Sequence, residues 1–256
     1  MLSNFFEVLI SAIFVGGVCG YLGSLMLSRR MSVVSDPLSH LALPGAVFAL
    51  IFNFDISLVA FLTLFFGSIL IWLIEQKTKL STEASIAIIF SISLAITFLF
   101  LEKHEIEEAI VGDISRVGFF ETLFIVIICL LTFLIVHKIY SKLILISISE
   151  ELAKSEKINI KKYQLLYLIS ISLMAAIGIR FVGALLISGL IALPAASARN
   201  IAKNLKSFKF LSLIFGAISS LLGITIANFL NLPVGPLIII SSFSIFLICS
   251  ILNRFK

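Results

Sequence analysis

Charge is what this chain has least of. Only 13% of its 256 residues are Asp, Glu, Lys or Arg, against about 25% in a soluble globular chain. Histidine and cysteine number three each, and proline five. A chain so short of charge does not build an ordinary water-facing surface, and one so apolar is not disordered. Cys19, Cys129 and Cys249 lie in separate apolar runs and form no C-x-x-C pair. That argues against a disulfide framework and leaves them as small buried hydrophobes. No G-x-x-x-x-G-K-[ST] phosphate loop occurs, so ATP hydrolysis by that route is excluded. The N-terminus lacks a basic stretch and carries Glu7, so no cleaved leader is expected and the first apolar run stays in the mature chain.

What is present is hydrocarbon. Hydrophobic residues make up 60% of the chain, 24 of them Phe, and the mean hydropathy is +1.19. The composition is that of an integral membrane protein. Charge-free runs occupy Val8–Ser28, Pro37–Phe54, Ile56–Ile74, Ala84–Leu101, Thr122–His137, Tyr163–Ile179 and Phe181–Ala198. Each is near the roughly 20 residues that cross a bilayer as a helix. A further run, Phe210–Asn253, is 44 residues long, about twice that need. Asn231-Leu232-Pro233-Val234-Gly235-Pro236 breaks it, because Pro and Gly interrupt a helix. The expectation is an all-α polytopic membrane bundle of nine spans forming one domain over residues 1–256. Eight spans result if the runs on either side of Arg180 form one kinked element.

Lys and Arg collect on the cytoplasmic side of a membrane protein. With the N-terminus outside and the C-terminus inside, 16 of the 19 basic residues fall inside, and Lys103, Arg116 and Arg180 fall outside. The +5 net charge is therefore a topology signal. Nucleic-acid binding would need one basic face with stacking aromatics, whereas these charges are scattered over five loops. Nine spans leave no room for a soluble catalytic domain, so the chain is not expected to be an enzyme.

Polar groups within such runs are costly and mark candidate sites. His137 ends a span beside Lys138 and reads as interfacial. His104 lies in an outer loop with Glu102, Glu105, Glu107 and Glu108; Asp113 follows in the same loop. Those acids can attract cations or dock a partner, or simply keep the loop solvated. Asp36 and His40 are different. Pro37 suits the first helical position, so Asp36 reads as an N-cap and His40 follows one turn later on the same face. Carboxylate oxygen and imidazole nitrogen together suit Zn²⁺, Mn²⁺ or Fe²⁺ better than Na⁺ or K⁺. The same pair also fits a helix cap followed by a hydrogen-bonded buried histidine. Gly16, Gly20 and Gly23 line one helix face, a pattern for close helix packing in lipid.

Several segments resemble the membrane permease subunit of zinc/manganese/iron ABC importers. Arg29-Arg30-Met31-Ser32, Asp36-Pro37-Leu38-Ser39-His40 and Leu43-Pro44-Gly45 are similar to the family's signature, with Pro37 where Ala is usual. Thr82-Glu83-Ala84 resembles its fourth-span opening, without the second acidic residue, and Val111-Gly112-Asp113-Ile114 its Gly-Asp-Ile loop. Val182-Gly183-Ala184-Leu185-Leu186 and Ala192-Leu193-Pro194-Ala195-Ala196-Ser197-Ala198-Arg199 resemble its late block, and Leu232–Pro236 the break before its last span.

The resemblance implies a permease in the bacterial cytoplasmic membrane, paired with a separate ABC ATPase and an extracellular or periplasmic metal-binding protein. It implies a transported divalent ion and no permanently bound cofactor. Two metal ligands per chain are few. A symmetric homodimer would bring four to its axis, and two-fold pairing is the commonest oligomer symmetry. The resemblance also puts coupling to the ATPase after the Pro194 block, at Ala195, Ala198, Arg199, Ala202 and Leu205. There Pro194 is expected to end a span, and Arg199, Lys203 and Lys206 to form the basic face of a short cytoplasmic helix. The alternative is a stand-alone secondary divalent-cation carrier, against which the later spans hold no Asp or Glu to relay protons.

Overall fold

The computed structural model describes residues 4–29, 41–52, 54, 56–78, 80–100, 118–183 and 186–254. Among these the chain is helical throughout, and six helices are long and apolar enough to cross a membrane. The all-α reading of the sequence holds. The expected runs appear as α1 (Phe5–Ser28), α2 (Ala42–Phe52), α3 (Ile56–Thr78), α4 (Thr82–Phe100), α5 (Phe119–Ile148), α7 (Ile160–Val182), α8 (Ile187–Ile201), α9 (Leu205–Leu230) and α10 (Val234–Arg254); a short α6 covers Glu150–Ser155. α2 and α8 are shorter than a bilayer requires, at 11 and 15 residues.

α1 is the axis of the packing. Every residue from Val15 to Met26 is buried, with α5, α7, α8 and α9 around it. The small residues explain how the backbones approach. A Cβ on Gly16 would collide with Ser220 Oγ, and one on Gly216 with the Gly16 carbonyl. A Cβ on Gly20 would meet the Ser212 carbonyl, and one on Gly23 the Ile191 carbonyl, 3.2 Å from Ala195 Cβ. The glycine face read in the sequence is thus the crossing of α1 with α8 and α9 inside one chain.

Four details correct the sequence reading. First, α5 does not stop at His137 but continues to Ile148. Its extension buries Ile139, Tyr140, Leu143 and Ile146 while Lys138 and Lys142 stay exposed, so the lysines decorate a helix rather than a loop. Second, α7 runs through Arg180 to Val182 and ends at Gly183, whose φ of 82° suits glycine. The Phe181–Ala198 run is therefore divided between two helices. Third, the long run breaks over Asn231–Pro233, with Asn231 left-handed at φ 54°. Gly235 and Pro236 lie in the first turn of α10, where a missing N–H is harmless. Fourth, Pro194 sits inside α8, which continues to Ile201. Burial of Pro194 against Gly20 and packing of α8 on α1, α9 and α10 carry the helix through it.

The pairings fix which ends lie together. Ser11 meets Thr122, and Tyr21 meets His137, so α1 and α5 run parallel. Gly16 meets Gly216 and Gly20 meets Ser212, so α1 and α9 run antiparallel. Ser68 meets Ser172, and Glu75 meets Gln164, so α3 and α7 are antiparallel. One end of the bundle therefore gathers Arg29, Lys77, the lysines from 138 to 162, Arg199, Lys203, Lys206 and Lys209.

Candidate metal path and coupling surface

Asp36 and His40, like the acids Glu102, Glu105, Glu107, Glu108 and Asp113, lie outside the described residues. The residues flanking the Asp36/His40 segment are described. Before it, Arg29 closes α1 with its guanidinium carbon 5.0 Å from the centre of the Tyr167 ring on α7. After it, Leu41 is buried, with its Cδ1 3.3 Å from where a Cβ on Gly67 of α3 would stand. Arg29 thus stands beside α7, and Leu41 against α3. Among the described residues no three His, Cys, Asp or Glu come together as a metal site. All three cysteines are free and buried.

A polar cluster that sequence reasoning missed lies beside Arg29. Glu75 of α3 accepts at Oε1 from Thr82 Oγ1 of α4, at 3.0 Å, and from Gln164 Nε2 of α7. Gln164 Nε2 also donates to Thr82 Oγ1 at 2.9 Å, and both residues are buried. Trp72 Nε1 donates to the Lys161 carbonyl at 3.0 Å, and the Ser68 and Ser172 hydroxyls bond to each other. The α3–α7 seam thus carries polar contacts from Ser68 to Glu75, set among buried apolar side chains such as Leu64, Ile71 and Leu168. In the sequence Glu75 directly follows the apolar run ending at Ile74, a position that reads as a helix meeting water and gives no signal of this cluster.

The coupling candidates separate into two kinds. Ala195 and Ala198 are fully buried within this chain, Ala195 against Gly23. Their small size serves the α1–α8 crossing, and any effect they have on a partner passes through that packing. Arg199 and Leu205 are exposed and Ala202 is half-buried. The expected single basic helix does not form. α8 ends at Ala202, which is extended at ψ 134°, and Asn204 caps α9 by accepting from Ser207 N at 2.7 Å. Arg199 belongs to α8, Lys203 to the bend and Lys206 to the first turn of α9. The reason is local: an Asn side chain that caps the following helix stops the preceding one from continuing.

His137, read as interfacial, hydrogen-bonds through Nδ1 to the buried Tyr21 hydroxyl at 3.0 Å, while its ring remains exposed. Next to it the Tyr140 and Ser24 hydroxyls bond at 3.0 Å, and Lys209 Nζ lies 5.1 Å from the centre of the Tyr140 ring. These contacts tie α1, α5 and α9 together at the basic end.

Known proteins share this architecture over its whole length. The profile of the ABC 3 transport family matches residues 1–253. The chain belongs to that family. It is 28% identical to the high-affinity zinc uptake system membrane protein ZnuB of Buchnera aphidicola subsp. Baizongia pistaciae, over 98% of each chain. It is 30% identical to the manganese import system permease protein ScaB of Streptococcus parasanguinis, over 94% of this chain and 88% of that one. Among solved structures it is similar to PsaBC from Streptococcus pneumoniae in complex with Fab. The TM-score is 0.80 and the identity 29%, over 95% of this chain and 90% of that one. Among the described residues the fold is a bundle of apolar helices, and the chain is a multi-pass membrane protein.

Proposed function

We propose that this chain is the membrane permease subunit of an ABC importer for a divalent transition metal ion, Zn, Mn or Fe. The observation that carries this is the family match over residues 1–253, joined to relatives named for zinc uptake and manganese import. The ion crosses at a homodimer axis, where Asp36 and His40 of two copies supply four oxygen and nitrogen ligands. Such a set binds transition metals without the closed geometry of a structural site, which permits release. A separate cytoplasmic ATPase drives transport, and an extracellular or periplasmic metal-binding protein delivers the ion, docking near Glu102, Glu105, Glu107, Glu108 and Asp113. Arg199, Ala202 and Leu205 face the ATPase, with Ala195 and Ala198 holding that junction against α1. The chain crosses the bacterial cytoplasmic membrane nine times, N-terminus outside and C-terminus inside. The gathering of basic residues at one end of the bundle supports that orientation.

The test is metal uptake by cells lacking the gene, complemented with the unmodified chain, Asp36→Ala or His40→Ala. The unmodified chain should restore accumulation of one of the three metals. Either variant, at equal membrane level, should lower it at least tenfold. Uptake that persists after ATP depletion would instead identify a gradient-driven carrier.

A further inference from the structure

The bundle divides along the α3–α7 seam. α5, α8 and α9 pack around α1, and α10 packs on α8 and α9. α2 and α4 pack on α3, which meets the rest chiefly along α7. Among the described residues α1 makes no extensive contact with α2, α3 or α4. Arg29 is what reaches toward them, lying on the Tyr167 ring, one turn along α7 from the Gln164 that bonds Glu75.

Among the described residues three polar atoms there are buried without a hydrogen-bond partner: Arg29 Nη1, Glu75 Oε2 and the Tyr167 hydroxyl. Among the described residues Arg29 is held by the Tyr167 face, and Glu75 is held through Oε1 alone, by Thr82 of α4 and Gln164 of α7. Both side chains are half-buried, but a terminal atom of a charged group that has lost water without gaining a bond is poorly compensated. Such an arrangement makes sense if the bond forms in a second packing of the same elements. We propose that Arg29 and Glu75 are a charge latch between the α1 body and the α2–α4 body. It is open in this structure and closed, guanidinium to carboxylate beside Tyr167, in another state of the transport cycle. The neighbouring seam bonds are between hydroxyl, amide, indole and carbonyl groups, which re-pair readily when one helix slides on another.

The link to transport rests on the permease reading; the latch itself is tested without it. The full chain in lipid, with Cys19, Cys129 and Cys249 replaced by Ala, carries nitroxide labels at Lys77→Cys and Lys138→Cys, exposed positions on the two bodies. Pulsed electron resonance should resolve two label distances, and Glu75→Gln, which keeps the bonds from Thr82 and Gln164, should shift their ratio at least threefold. Arg29→Met and Glu75→Gln alone should each lower the thermal unfolding midpoint, and the double variant should recover it. In complemented cells the double variant should still carry metal at least tenfold more slowly, while Arg29→Lys stays within threefold of the unmodified chain. One label distance unmoved by Glu75→Gln, no recovery in the double variant, or normal uptake by it would each overturn the latch. Failure of the unmodified chain to carry metal would overturn the permease reading instead, and the label distances would still decide the latch.

Discussion

Gly17 and Gly20 are neighbours on α1 with opposite tolerance for a methyl group. A Cβ at Gly17 would meet its nearest atom, the Leu213 carbonyl oxygen, at 3.5 Å, an ordinary contact. At Gly20 it would collide with the Ser212 carbonyl, which is backbone and cannot swing away. Gly20→Ala should therefore cost about 1–3 kcal/mol, the usual price of overpacking, whereas Gly17→Ala should cost nothing and gain up to about 1 kcal/mol from the better helix former. Thermal unfolding of both variants in the same detergent checks the difference; equal midpoints would mean that α1 and α9 are not packed this closely. The glycine face was legible because small residues at helical spacing have one main use in lipid. Glu75 was not, because a charge at the end of an apolar run looks like the point where a helix meets water. Only the fold shows its carboxylate turned onto Thr82 and Gln164.

At the scale of elements, hydropathy located the helices well and their ends poorly. Apolar runs found the core of each span, since burial in lipid or protein selects the same side chains. Charge misled at α5, where Lys138 and Lys142 lie on the outer face of a helix whose other face is still buried. Proline misled at α8, where tertiary packing outweighs the lost hydrogen bond at Pro194. The α8–α9 junction corrects the expected coupling surface in the same way. Of the expected coupling residues Arg199 and Leu205 are the exposed ones, on different helices joined through Ala202 and the Asn204 cap. Replacing both by Glu should leave the fold intact, because neither is buried, yet reduce co-purification with the ATPase at least tenfold by adding charge and removing an apolar contact. Asn204→Ala should act differently, costing about 1 kcal/mol of stability through loss of the cap. If the double Glu variant still binds the ATPase fully, the proposed contact is not this junction, and α6 with the groove of about 390 Å³ between Lys142, Leu152, Lys157 and Tyr163 becomes the next candidate.

At the scale of the whole molecule, most of the described basic residues, scattered through the sequence, gather at one end, with Arg180 at the other. Parallel α1 and α5, antiparallel α1 and α9, and antiparallel α3 and α7 bring the ends carrying Arg29, Lys77, Lys142, Lys161 and Lys209 to one side. The opposite side holds the turn at Gly183, with Gly235 of α10 against the Val182 carbonyl. The sequence implied this sorting only by assuming that each run crosses once; the pairings reach it from contacts, without that assumption. An inside location for the basic end follows from the asymmetry of Lys and Arg, and it can be measured. Lys154→Cys lies on α6 at the basic end, and Leu232→Cys lies in the exposed α9–α10 turn at the other. The native cysteines are buried, so they should contribute little background to a thiol-labelling experiment. In intact spheroplasts a membrane-impermeant maleimide should label Leu232→Cys and spare Lys154→Cys, and in inside-out vesicles the preference should reverse. Labelling of Lys154→Cys in spheroplasts would invert the whole bundle. The Arg199 and Leu205 surface would then lie away from any cytoplasmic ATPase, and the permease reading would fail with it.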